Sequence, residues 1–487
     1  MLGTLILKEL ETLLLSPKFA ATFVICSALM LLSVFVGIRE YHAAVDQYEA
    51  ASELVQQEMR EARGWMTLND RVYRRPDPMQ IFAAGVDNDI GRYSTISSWE
   101  PIKLVHSTYS DDPIFALFRF MDFAFIVSVV LTLFAIVFTY DAVSGERERG
   151  TLQLVFSNAV RRTQFVGAKM IGAWFALVLP LSVPMLLGVL LLPLSGVPMN
   201  AELWTRLGML IGTSLLLVTC FTAFGVFIST VTRTSSVSFL IALVAWVFVV
   251  LILPRAGVMI AGGIIPVPSV AETEALQDAY AQDRWAEHMK ERSEVWRERE
   301  ASLNGLSEAE RDARREEMEW VWAEEDETAR KTMQEAINEH MRKLSEETRN
   351  AKGAQEELAF TLSRVSPVSA YQLAVMNLSG TDIDLKTRTE DALQAYRSVF
   401  SAYKERKQKE SGSSGGIRIT VDTDRGIKID TGRDIALDLS DAPRFEQRES
   451  SPSERAAATV ADVGVLGGGS LVMVALGFGG FLRYDVR

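Results

Sequence analysis

From Phe19 to Ile38 the chain reads Phe-Ala-Ala-Thr-Phe-Val-Ile-Cys-Ser-Ala-Leu-Met-Leu-Leu-Ser-Val-Phe-Val-Gly-Ile, without a single charge. About 20 apolar residues in a helix cross the roughly 30 Å hydrocarbon core of a bilayer, so this stretch reads as a membrane span. It is longer than the apolar region of a cleaved signal and no small-residue cleavage site follows, which predicts a retained helix. Working outward, five more runs have the same character: Phe120 to Tyr140, Val166 to Leu192, Leu203 to Ile228, Val237 to Leu253 and Val460 to Leu482. The expected fold class is an all-α polytopic membrane protein with six transmembrane helices. The second run is the least clean, because Asp122 lies near its start and Arg119 just before it. Charges are costly in the apolar centre, so this pair is expected at headgroup level.

Composition narrows the function. The 487 residues are 48% hydrophobic with a formal charge of -12, which leaves no basic footprint for nucleic acid. Cys26 and Cys220 both fall in apolar runs, so no disulfide framework is available. Short-loop basic residues set direction. Lys8 and Lys18, then Arg147, Arg149, Arg161, Arg162 and Lys169, then Arg233, and finally Arg483 and Arg487 all fall on one side of six spans. That side is expected to be the cytoplasm of a bacterial inner-membrane protein with both termini inside. Residues 1–18 then form an interfacial helix, and residues 39–119 and 255–458 form two extracytoplasmic insertions.

In the first insertion the helical pattern continues through Tyr41, Val45, Tyr48, Leu54 and Met59 and stops near Gly64. Arg74-Arg75-Pro76-Asp77-Pro78 breaks any helix, and mixed strand and turn signals run on to Pro113. In the second, Glu272 to Leu362 reads as an antiparallel helical hairpin, interrupted at Asn304-Gly305 and restarted by a capping box at Ser307-Glu308-Ala309-Glu310. Trp285, Trp296, Trp320 and Trp322 suit the core of that hairpin, or else a ligand-stacking surface. After a break at Pro367, a further helix is expected from Thr387 to Lys409. Ser411 to Gly416 reads as a flexible linker. The alternation of Ile417, Ile419, Val421, Ile427 and Ile429 fits short strands, and disorder fits the composition equally.

The chain has no G-x-x-x-x-G-K-[ST] loop, no H-E-x-x-H pattern, and four scattered histidines, His42, His106, His288 and His340. Gly467-Gly468-Gly469 lies inside the last span, where glycine allows close helix approach. No nucleophile or metal set points to an enzyme, and no cofactor is expected in this chain. The spans are nearly free of the carboxylates, lysines and histidines that ion-coupled carriers need. Energy for any transport would come from outside the chain.

The most informative loop is Asp141-Ala-Val-Ser-Gly-Glu-Arg-Glu-Arg-Gly-Thr-Leu152, followed by Gln153, Leu154, Val155, Phe156 and Ser157. A charged turn meets an apolar strip, giving a short amphipathic element at the bilayer surface. It either merely turns the chain or docks a partner, with Glu146 and Glu148 meeting basic residues and the strip Leu152, Leu154, Val155 and Phe156 filling a groove.

This loop, with Ser157, Arg161-Arg162 and Lys169, resembles the D-x-x-x-G-E-x-x-x-G-T-L signature of type 2 ABC transporter permeases. Six spans and an N-terminal interfacial stretch (Leu5, Leu7-Lys8-Glu9-Leu10, Leu13 to Leu15) agree with that family. A narrower resemblance is to permeases with large extracytoplasmic insertions, similar to the nitrous-oxide-reductase maturation and gliding-motility permeases. It rests on Arg75-Pro76-Asp77-Pro78 through Gly85, Ser366-Pro367, Gly380-Thr381-Asp382 and Arg483-Tyr484-Asp485-Val486-Arg487, and leaves out about 272–350 and 411–442. The resemblance implies a coupling helix around Glu146 to Phe156 seated on a cytoplasmic ATPase subunit dimer, which carries the ATP and Mg. A second permease, identical or related, would complete the unit. Asp141, Glu146, Glu148, Gly150, Thr151, Leu152, Leu154 and Phe156 are then the coupling residues. Arg161, Arg162 and Lys169 would anchor the element to lipid phosphates or the partner, or else only reflect the positive-inside bias. The outer segments would recruit a periplasmic protein or lipid carrier, or restrict access to the path. A non-transporting receptor or scaffold, whose outer helices bind a partner, is the competing reading.

Overall fold

The computed structural model describes residues 2–62, 65, 68–97, 102, 104–107, 121–158, 160–410, 418–422, 426–430, 437–447 and 450–482. Gly64, Arg119, Phe120, the 411–416 linker and the 483–487 terminus, each given a reading above, lie outside the described residues. Among the described residues, six helices are long and apolar enough to cross a membrane: Pro17–Glu61, Phe123–Glu148, Arg162–Leu194, Ala201–Val231, Ser235–Ile264 and Pro452–Leu482. All six sequence runs fall on them, and the protein is an all-α polytopic membrane protein.

The chain divides into two compact units, residues 1–252 with 364–487, and residues 253–363. The larger unit opens with α1 (Leu2–Leu14) and α2 (Pro17–Glu61). Ser16 separates them, its hydroxyl accepting the Phe19 N–H with Pro17 in the first turn, a favoured helix start. α2 runs on beyond its apolar stretch, as the pattern through Met59 predicts. A small hairpin follows, β1 (Asp70–Tyr73) and β2 (Tyr93–Ile96), antiparallel with Val72 opposite Ser94.

Asp122 starts the second span. One carboxylate oxygen accepts the Phe125 N–H at 2.8 Å and the other the Ala84 N–H at 3.1 Å. The charge that made this run look untidy is therefore a helix cap tied to the segment between the first two spans. After a turn at Phe123–Phe125 the span widens into a π-helix, Ile126–Leu131, before α3 (Thr132–Thr139). Then come α4 (Ser144–Glu148), α5 (Thr151–Ser157), α6 (Arg162–Leu194), α7 (Ala201–Val231) and α8 (Ser235–Val247). A second π-segment, Phe248–Ile252, follows α8. Such widening disturbs the regular ladder, and Ser366 Oγ donates to the Val249 carbonyl there at 2.7 Å.

The smaller unit holds α9 (Leu253–Ile264), α10 (Val270–Ser302) and α11 (Glu308–Ser363). The last two are the helical hairpin that the sequence predicts, with Glu310 accepting the Ser307 N–H at 2.9 Å in the capping box. Two of its tryptophans stand outside its core, Trp285 and Trp296 being 44% and 54% exposed, Trp322 is half-buried, and the Trp320 side chain lies outside the described residues. Arg299 joins the two helices instead, between the rings of Trp296 and Trp322, with Asp326 and Glu325 as ion partners at 3.1 and 2.8 Å.

Back in the larger unit lie α12 (Pro367–Ser379), α13 (Asp384–Glu410), the paired strands β3 (Arg418–Asp422) and β4 (Gly426–Asp430), and α14 (Pro452–Leu482). Ile419 stands opposite Ile429 and Val421 opposite Ile427, so the alternating segment forms strands. The second insertion, one segment in sequence, is thus shared between the two units.

Direct bonds sort the ends of the spans. Lys18 meets Asp141 at 2.9 Å, Ser235 meets Glu148 at 2.6 Å, and Arg162 meets the Leu482 carbonyl at 3.0 Å, so these belong to one end of the bundle. At the other, Asp77 meets Arg206 at 3.0 Å and Glu202 meets Arg455 at 3.2 Å. The spans are less free of charge than their hydropathy suggests: Lys169, Arg206 and Asp462 are buried within them. Each has a partner, Asp462 taking Arg364 at 2.6 Å.

The second end is closed by a tight approach. Gly85 has φ +50°, and a Cβ there would lie 2.2 Å from the Thr381 carbonyl oxygen. Val86 N–H donates to that same oxygen at 3.0 Å. Gly85→Ala is expected to cost about 2–3 kcal/mol through backbone strain and separation of these segments. A melting curve of the purified chain in detergent, unchanged by the substitution, would refute this.

Candidate functional site

The loop after the second span is built from the ends of several spanning helices. Ser229, near the end of α7, accepts the backbone N–H groups of Val143 and Ser144 at 3.0 and 3.1 Å. The start of α4 thereby finds an acceptor for two otherwise unpaired donors. Tyr140 and Asp141 both receive Lys18 Nζ, each at 2.9 Å, which brings the start of α2 to the same turn. Ser238 Oγ of α8 donates to the Tyr140 carbonyl at 2.6 Å.

Glu146 and Lys169 are brought together. The Lys169 ammonium lies 3.0 Å from Glu146 and 2.7 Å from Glu9 of α1, and all three side chains are almost completely buried. Thr151 Oγ1 makes a short hydrogen bond to the Glu146 carboxylate. One cation between two carboxylates offsets one of their two negative charges and bonds to both, which is what makes burial tolerable. Glu146 therefore reaches inward, to this chain's own lysine. Glu148 stays on the surface, where it accepts the Ser235 hydroxyl.

Gly150 joins α4 to α5 at φ +69°, a conformation that glycine adopts without the Cβ penalty. α5 then presents two faces. Leu152 is buried with Ala142, Val143, Phe165, Val166, Met170, Ala223, Val226 and Phe481. Phe156 is half-buried, its ring centroid 5.5 Å from Phe165 and 5.9 Å from Phe481. Leu154, on the same short helix, is 66% exposed. Arg161 is exposed at the cap of α6, whereas Arg162 binds the end of α14. Lys169 belongs to the buried triad.

Sequence reasoning misses Glu9, Lys18, Ser229 and Phe481 as members of this site. Each comes from a different helix, and no spacing in the chain announces them. A buried lysine seven residues inside an apolar helix is the one signal that a counter-charge must exist elsewhere.

Against protein families, residues 4–486 match the one described as "ABC-2 family transporter protein". No curated protein matches the chain.

The triad predicts an asymmetric response. Lys169→Met leaves two buried carboxylates without a cation and should cost about 3–5 kcal/mol. Glu9→Gln or Glu146→Gln leaves a neutral pair and should cost clearly less. Urea or thermal unfolding of the three variants in detergent gives the ranking, and a lysine variant no worse than the others would contradict it.

Proposed function

The chain belongs to the ABC-2 transporter family and is a membrane component of an ABC transporter, and from that premise we propose that its 141–165 loop docks a separate ATPase subunit in the cytoplasm. The reading rests on the exposure of Leu154 on a helix whose opposite face is locked to the bundle. An exposed leucine on a short, firmly held element favours a partner groove over a simple chain turn. Glu148, also exposed, adds a carboxylate for basic residues there, and Asp141, Gly150, Thr151, Leu152 and Phe156 hold the element in shape.

On this reading ATP and Mg sit on the partner, in a dimer, and two permease chains, identical or related, complete the transporter. Closure of the ATPase pair pushes α4 and α5. The push passes to α1 and α6 through the Glu146–Lys169–Glu9 triad and to α7 through Ser229, since a buried ion cluster is costly to break and moves as a body. The loop and both termini face the cytoplasm, as the basic-residue bias favours, and the protein resides in the inner membrane. Glu146 and Lys169 then act by positioning, and Leu154 by contact.

Leu154→Arg is expected to reduce co-purification of the ATPase at least about tenfold, the loss of one buried apolar anchor plus an unpaired charge. The melting temperature should be unchanged, since the residue is exposed. Full retention of the ATPase by this variant would sink the docking assignment.

A further inference from the structure

At the end of the bundle away from that loop, a cavity of about 370 Å³ is lined by Arg74, Arg75, Arg206, Arg388 and Arg455. Five guanidinium groups converge there in a chain whose net charge is -12. Its wall carries fewer carboxylates, Asp77, Asp87 and Glu202. The arginines come from separate parts of the fold: the segment after β1, the second turn of α7, the start of α13 and the first turn of α14.

Internal bonds fix their orientation. Arg206 donates from Nε to the Leu378 carbonyl at 2.7 Å and meets Asp77 at 3.0 Å. Arg388 forks onto both oxygens of Asp382, at 2.9 and 2.8 Å. Arg455 meets Glu202 at 3.2 Å, and Arg74 pairs with Asp87. A guanidinium has five N–H donors, and the contacts of Arg74, Arg206 and Arg388 named here use only part of them. The Arg74 side chain is 7% exposed, yet its Nε has no hydrogen-bond partner among the described residues. A buried donor of that kind lacks an acceptor. Arg75 is exposed at the rim, its backbone N–H held by Gln447 at 2.8 Å. No carboxylate among the described residues lies within ion-pair distance of its side chain.

Position narrows the ligand. Asn200 caps α7, so Glu202 and Arg206 lie in its first two turns. The cavity therefore opens where spanning helices leave the apolar layer, at the depth of lipid headgroups. Planar, multiply donating arginines match the oxygens of a phosphate better than any neutral group.

We propose that this cavity binds a phosphate group, carried either by a phospholipid headgroup or by a soluble anion. Arg75 supplies uncompensated charge, Arg74 an unused donor, and the other three a preset wall. The inference stands without the ATPase partnership, since it concerns the opposite end of the molecule.

The test uses the purified full chain in mild detergent, stripped of lipid. Phosphatidic acid and diacylglycerol, which share tails and differ in the phosphate, are added separately and bound lipid is read by native mass spectrometry. In parallel, the melting temperature is measured in potassium phosphate and in potassium chloride of equal ionic strength. The cavity should retain phosphatidic acid over diacylglycerol, with affinity roughly tenfold weaker in Arg75→Gln and intermediate in Arg75→Lys. A phosphate-specific thermal shift that Arg75→Gln abolishes, without lipid preference, would support the soluble source of the same chemistry. If neither lipid preference nor phosphate shift depends on Arg75, the proposal fails. Arg75 is exposed and outside every ion pair described, so its variants should fold as the parent does.

Discussion

A lysine buried between two carboxylates organises the end of the bundle that carries the 141–165 loop. Lys169 belongs to a spanning helix, Glu146 to the loop and Glu9 to the N-terminal helix. None of the three tolerates burial alone, because the cost of desolvating an isolated charge exceeds what packing returns. Together they compel α1, the loop and α6 to adopt one arrangement. The neighbouring contacts follow from it. Once Glu146 is held, Thr151 caps its carboxylate, Gly150 makes the reversal, and Leu152 is directed into the cluster with Phe165 and Phe481.

The other end uses the same device with different groups. Arg206 joins Asp77 of the first insertion to the end of α12 through the Leu378 carbonyl. α7 therefore carries an anchor at each end, Ser229 under the loop and Arg206 beside Asp77 and the end of α12. The two lie about 35 Å apart at 1.5 Å rise per residue. A helix fixed at both ends against different segments transmits displacement as a rigid rod rather than absorbing it. That is a physical basis on which an event at the proposed ATPase contact would be felt at the arginine-lined cavity.

Much of this fold was legible in the sequence, for reasons specific to membranes. A span announces itself by length and apolarity alone, since every backbone group must be satisfied within the helix. The six runs, the long continuation of α2 and the acidic hairpin with its break at Asn304-Gly305 were all visible in this way. What could not be read was pairing across the chain. The partnership of Glu146 with Lys169 spans 23 residues, and that of Lys169 with Glu9 spans 160. The sequence suggested Glu146 as an outward contact because a glutamate in a charged turn normally faces solvent. Burial reversed its direction. The tryptophans misled in the opposite sense: large apolar rings suggest a core, yet Trp296 and Trp322 flank the Arg299 guanidinium.

The shared logic of the two ends also explains why so few polar residues suffice. Lipid gives helices no hydrophobic drive to associate, so association needs packing and a small number of specific polar contacts. Lys169, Arg206 and Asp462 are those contacts, each placed near the end of its span rather than at mid-bilayer, where an imperfect pair would be most costly. Trp246 Nε1 bonding Thr132 Oγ1 at 3.0 Å adds a neutral link deeper in the bundle, beside the π-helical turn that precedes α3.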